Sequence, residues 1–245
     1  MNEMRERWDL RARSDAFAYI ETVREVPSVD SFFALGEHFA QVLADPVLGN
    51  VERSRALDLG CGVGRVTRAL AQRFDDVVGV DVSAEMVRRA KELHPAAEFP
   101  NVTFEATDGV HVPLEAESVD FVFSYEVFQH LPSREVIRGN LVEVARVLRP
   151  DGLALIHVHR PPGPGAYWLE RAKRAVPDSL WMQLKRAVGR GDPLTSDATF
   201  RGTAPLRRKD IAELWHAVGL AIVELRNDPT HEPARRVLVS ARRKR

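Results

Sequence analysis

The sequence predicts an α/β fold: a doubly wound, mostly parallel seven-stranded sheet ending in an antiparallel hairpin. Three observations lead there. From residue 55 onward, short apolar runs alternate with helical periods, the pattern of strands buried on both faces between covering helices. The first strand passes into a turn with glycine at every other position, Gly60, Gly62 and Gly64, as open α/β sheets use at a ligand-binding edge. Two closing apolar runs, 220–225 and 237–240, are separated by the turn-rich stretch 227–233 and should pair as a hairpin.

In chain order, residues 2–45 read as helical: Trp8, Phe17, Ile20 and Val23 fall near helical spacing, and a second apolar stripe from Phe32 to Leu43 follows an Asp30-Ser31 start signal. Pro46 and Gly49 end this N-terminal helical cover, taken as 1–50. A core over 51–160 then carries strands at 55–59, 77–81, 102–106, 119–124 and 153–158, with helices at 65–74, 84–93 and 134–148 between them. Ser83 and Ser133 are placed to cap two of those helices, because a short hydroxyl accepts from the open amides of the first turn. After the fifth strand, Pro161-Pro162-Gly163-Pro164-Gly165 breaks regular structure, and two amphipathic segments suggest a helical insertion over 161–203. A helix over 208–218, apolar at Ile211, Leu214, Trp215 and Val218 and closed by Gly219, leads into the hairpin, so 204–245 complete the fold. At about 150 residues per domain, 245 residues suit one enlarged domain.

Apolar residues make up 44% and charged residues 29%, which excludes collagenous and disordered chains. Lys plus Arg and Asp plus Glu are each 35, so the global positive field of a nucleic-acid-binding protein is missing. Within this balance, residues 160–245 hold 18 basic against 9 acidic residues, part of them in the Arg242-Arg243-Lys244-Arg245 tail. The lone Cys61 closes no intramolecular disulfide and is too little for a zinc site, which suits a reducing compartment. No run approaches the about 18 apolar residues of a membrane span, and the charged start lacks the apolar core of a signal peptide. A cytoplasmic protein is the expectation, with monomer and homodimer both open.

Chemistry gathers at the strand ends. In Asp58-Leu59-Gly60-Cys61-Gly62-Val63-Gly64-Arg65, the glycines let backbone approach a ligand closely. A dinucleotide-binding loop would carry its third glycine where this chain has Arg65, and Asp58 would repel a pyrophosphate while suiting an ammonium or sulfonium group. Asp81, ending the second strand, can accept from both hydroxyls of a ribose, which also fits NAD. Thr107-Asp108-Gly109 follows the third strand; the acid there either accepts from an exocyclic amine or makes a turn. Together the three acids outline an adenosine joined to a positively charged amino acid.

These stretches, with Gly79-Val80-Asp81-Val82-Ser83, Phe121-Val122-Phe123-Ser124 and Val147-Leu148-Arg149-Pro150-Asp151-Gly152, resemble the class I S-adenosylmethionine-dependent methyltransferases, whose fold is Rossmann-like. The resemblance covers 55–160. It implies S-adenosyl-L-methionine as the donor, with Asp58, Gly60, Cys61, Gly62, Gly64 and Arg65 around its methionine part, Asp81 and Val82 at its ribose, and Thr107, Asp108 and Gly109 at its adenine. Met86 then packs on the adenine or belongs to the core, and Ser124 and Tyr125 follow at the fourth strand end. Relatives of this kind can cover the donor with an N-terminal helix, which would bring Tyr19 or Phe32 to it.

The reaction implied is in-line displacement at the sulfonium methyl by an oxygen, nitrogen or carbon nucleophile of a small-molecule acceptor, driven largely by proximity and alignment. An alcohol acceptor would want a base, and candidates gather after the fourth strand, in Ser124-Tyr125-Glu126-Val127-Phe128-Gln129-His130-Leu131-Pro132, and after the fifth, in His157-Val158-His159, with His130 first and His159 next, beside the alternating His157. His130 could instead serve the backbone of its loop. Acceptor specificity should lie in the insertion, where Tyr167, Trp168, Trp181 and Met182 accompany Arg171, Arg174, Lys185, Arg186 and Arg201. That segment reads as a lid, a packed cap or a membrane-surface helix. Two other functions stay open: a non-enzymatic donor-binding protein with a filled acceptor side, and an RNA or protein methyltransferase docking through its basic half.

Overall fold

The first strand, β1 (Arg55–Leu59), is buried from Ala56 onward on both faces, so it can only lie inside the sheet. In the computed structural model it pairs in parallel with β2 (Asp76–Asp81) on one side and β4 (Val119–Ser124) on the other. β3 (Val102–Ala106) adds to β2, and β5 (Leu148–His159) adds to β4, both parallel. β7 (Arg236–Arg243) pairs antiparallel with β5 and with β6 (Leu220–Asn227), giving the order β3-β2-β1-β4-β5-β7-β6 among the described strands. Strand order therefore reverses between β1 and β4, and the crevice at their carboxyl ends is where an open α/β sheet binds ligands.

The structure describes residues 1–20, 28–161, 205–230 and 236–244, with isolated positions between 168 and 202. Most of the expected insertion, including Tyr167, Arg171, Arg174, Met182, Lys185, Arg186 and Arg201, lies outside the described residues.

Helices α5 (Ala84–Leu93) and α6 (Arg134–Val147) start where the serines predict: Ser83 Oγ accepts from Met86 N and Ser133 Oγ from Val136 N. α7 (Arg208–Ala217) seals one face with the fully buried Trp215. The N-terminal cover comprises α1 (Asn2–Ile20), interrupted by extended Asp15, then α2 (Val29–Phe39), a wider π-type turn at Ala40–Ala44, and α3 (Asp45–Leu48).

Some boundaries differ from the sequence reading. α2 begins at a reciprocal cap between Ser28 and Ser31, not at Asp30-Ser31. The helix expected over 65–74 is reduced to α4 (Thr67–Leu70), because the chain then tightens to bonds three residues apart, Gln72 N to Ala69 O and Arg73 N to Leu70 O, and Asn101 Nδ2 caps the open carbonyls of Ala71 (2.8 Å) and Phe74 (3.1 Å). β5 starts at Leu148, not 153, since Leu148 already pairs with Val119 before the chain passes Gly152.

Candidate active site

Asp58 is the one polar side chain of β1's buried run, 4% exposed, and its Oδ2 accepts from Thr67 Oγ1 at 2.6 Å. Burial raises its pKa to about 6, with the neighbouring Asp81 charge adding to the shift. After Leu59 the chain turns at Gly60, whose φ is +80° and whose absent Cβ would fall 2.2 Å from Val127 Cγ2. Only glycine fits both conditions. Gly64, also at positive φ, faces inward, where a Cβ would meet His94 and Phe104; it shapes the loop and does not line the cavity below.

Asp81 closes the loop from β2. Its Oδ2 accepts from Gly62 N and its Oδ1 from Ser83 N, both at 2.9 Å, which fixes the carboxylate while leaving lone pairs for a ligand. Burial raises its pKa as well. Cys61 is buried beside these two acids, so its thiol is pushed well up and stays protonated.

A cavity of about 370 Å³ opens at these strand ends, and Asp58, Gly60, Cys61, Gly62, Arg65, Asp81, Val82, Met86, Thr107, Gly109 and Tyr125 all line it. Two sequence-derived candidates are set back. Asp108 is exposed and its Oδ1 accepts from Val110 N (2.8 Å) and His111 N (2.7 Å), a turn that holds its carboxyl below the ordinary range. Ser124 is buried, donating to Leu59 O at 2.8 Å, and ties β4 to β1 behind the site.

Met4, Trp8, Tyr19 and Ile20 of α1 cover the cavity, whereas Phe32 is buried outside it, edge-to-face with Phe17 and under the Arg65 guanidinium. α1 is fastened by Asp9, whose Oδ1 accepts from Ser83 Oγ at 2.5 Å and Glu85 N at 3.1 Å at the start of α5. A carboxylate there meets open amides and the positive end of the helix.

The far side is walled by Glu126, Gln129, His130, His159 and Arg236. His130 packs edge-on against Trp8, its Nε2 3.1 Å from Gln129 Nε2. His159 reaches the cavity, but His157, expected beside it, is fully buried behind, accepting Glu126 N at Nδ1 (3.3 Å).

Sequence reasoning missed several wall residues. Asn140 had a signal: it interrupts the apolar stripe of Ile137, Leu141 and Val144, and it donates to Gly109 O at 3.0 Å. Glu126 falls in the stretch after the fourth strand where base candidates gather, but Arg236 in the wall and Asp9 behind it had no signal, since their contacts join distant parts of the chain. Among the described residues, no cluster of His, Cys, Asp or Glu could hold a metal ion, and no helix is long and apolar enough to cross a membrane.

Residues 57–156 match the family model of a methyltransferase domain. The chain is 34% identical over 128 residues to a 2-methyl-6-phytyl-1,4-hydroquinone methyltransferase of Synechocystis, covering 51% of this chain and 35% of that protein. It is 34% identical over 140 residues to a trans-aconitate 2-methyltransferase of Azoarcus, covering 51% and 52%. Over residues 57–156 the chain is thus similar to methyltransferase domains, as its strand-end motifs imply. A third relative, the 27-O-demethylrifamycin SV methyltransferase of Amycolatopsis mediterranei, is 38% identical over 101 residues, covering 40% and 36%. The chain spans between 35% and 52% of these relatives' lengths. The fold likeness is wider than the matched stretch: magnesium protoporphyrin IX methyltransferase of Synechocystis, solved with bound SAH, superposes with a TM-score of 0.62 at 22% identity, covering 99% of each chain.

Proposed function

We propose that this methyltransferase moves a methyl group from S-adenosylmethionine to an oxygen or nitrogen of a small polar metabolite. The observation that carries the reading is the single cavity joining the glycine turn and Asp81 to a polar wall of Glu126, His130 and His159. The residues fit the donor. A Cβ at Gly62 would come within 2.8 Å of Ile20, so glycine there lets the covering helix close down on the turn, and the neighbouring acids suit a ligand carrying positive charge and vicinal hydroxyls.

When bound, S-adenosylmethionine supplies a methyl group already activated by its positive sulfur. Asp58, Gly60, Cys61, Gly62 and Arg65 would surround its amino-acid end, Asp81 and Val82 would take the ribose, and Met86, Thr107 and Gly109 would flank the adenine. Asp108, committed to the amides of Val110 and His111, would support that turn. Trp8, Tyr19 and Ile20 would exclude water from above, and His130 or His159 would accept or orient an acceptor proton. Alignment across the cavity would provide much of the rate enhancement.

An open polar wall favours an enzyme over a donor-binding protein with a filled acceptor side. A small-molecule acceptor is supported by the zero net charge and by relatives named for a hydroquinone, an aconitate and a rifamycin. One functional unit over 1–245, covered by its first 50 residues, is part of the same proposal. The test offers a donor labelled in the methyl group with three fractions of a cell extract: small molecules, RNA and protein. Label is expected in the small-molecule fraction; label confined to RNA or protein would overturn the reading.

A further inference from the structure

We propose that Glu126 and Arg236 form the acceptor-recognition pair of the cavity and take a neutral hydroxyl, with the Glu126 carboxylate accepting its proton as the methyl moves. This rests on the methyl-transfer reading above. Glu126 follows β4 by two residues and has φ +61°. The other described non-glycine residue at positive φ, Glu117, sits in an exposed turn, whereas Glu126 lines the cavity. A left-handed glutamate in a site wall persists only where its surroundings over-determine it.

Those surroundings are visible. The Glu126 amide donates to His157 Nδ1 at 3.3 Å, which leaves the proton of a neutral imidazole on Nε2, 3.8 Å from Asp228 Oδ2. That same oxygen accepts the Tyr125 hydroxyl at 2.8 Å, and Asp228 Oδ1 accepts from Thr230 N at 2.8 Å. His157 and Asp228 are both fully buried. Peptide 125–126 is thus pinned from behind by β5 and by the turn after β6. In front, Arg236 Nη1 of β7 donates to Glu126 Oε1, and the two side chains keep 17% and 15% of their surface exposed.

The chemistry of the pair selects the ligand. Glu126 offers acceptors and Arg236 offers donors, and a hydroxyl, which both donates and accepts, satisfies the two at once. An ammonium would donate to Glu126 but meet the guanidinium charge, and a carboxylate would accept from Arg236 but meet Glu126. In the transfer, the hydroxyl oxygen forms its bond to the methyl carbon, the carbon–sulfur bond breaks with its electron pair going to sulfur, and the hydroxyl proton passes to Glu126 and then to water.

The test uses the full chain, the methyl-labelled donor and a panel of phenols and alcohols, primary amines and carboxylates, with donor binding followed by calorimetry. Transfer to hydroxyl compounds is expected. Glu126→Gln should lower kcat by about 100-fold or more while donor binding is kept. Arg236→Lys, which retains a charge near Glu126, should fold, bind donor and show a raised KM for the hydroxyl acceptor. Transfer only to amines or carboxylates, no transfer to any hydroxyl compound, or an unchanged kcat in Glu126→Gln would each overturn the proposal. Absence of donor binding by the parent protein would remove the methyl-transfer reading itself, and calorimetry registers that separately.

Discussion

Asp58 combines two demands that oppose each other: it is buried with Thr67 as its hydrogen-bond donor, and it faces a cavity read as taking a cation. Its pKa of about 6 lies above the ordinary carboxylate value of 3.8, so the folded chain holds this proton to higher pH than the unfolded chain does. The contribution is therefore full below about pH 4 and is lost as pH rises through about 6, on the order of 3 kcal/mol in all. Asp58→Asn keeps an acceptor for Thr67 and removes the charge. Without ligand, it should melt higher than the parent above pH 6, with the difference fading below pH 4; a difference independent of pH would contradict the account. Asp81→Ala should weaken S-adenosylmethionine binding by roughly 1–3 kcal/mol, the scale of lost hydrogen bonds to a charged group, as read by calorimetry. Gly60→Ala places a Cβ 2.2 Å from Val127 at positive φ, and circular dichroism melts should show a clear loss of stability together with lost donor binding. At this scale the sequence was informative about where Asp58, Asp81, Gly60 and Gly62 lie, because position at a strand end brings them to the cavity; Gly64 turned out to face inward. It put Glu126 in a stretch of base candidates but was silent about its pairing with Arg236, which spans 110 residues.

Helix starts were legible at Ser83 and Ser133, where the cap lies within three residues, although the equally local Ser28–Ser31 cap of α2 was read two residues late. Contacts at helix ends made by distant residues were not legible, as where Asn101 caps the open carbonyls after α4. Asp9 belongs to the same class: it completes the start of α5 from 74 residues away and fastens the covering helix over the cavity. Asp9→Ala should cost about 1 kcal/mol, the usual value of a lost helix cap. Amide exchange should quicken in α1 while the central strands keep their protection, since local opening draws on the contacts that hold one element. Uniform acceleration across the sheet would mean that α1 is integral to the core.

For the molecule as a whole, the alternation of apolar runs was enough to reach the sheet, its mostly parallel sense and the closing hairpin, because strands buried on both faces leave few other arrangements. The part the hairpin plays in the site was not legible. β7 enters between β5 and β6, and that placement brings Arg236 to the cavity wall and Asp228 behind it. The account stands or falls on the ligand the strand ends accept. Titration calorimetry with S-adenosylmethionine, its demethylated product and NAD tests this directly. Micromolar binding of the first two and none of NAD is the predicted result; binding of NAD alone would contradict it.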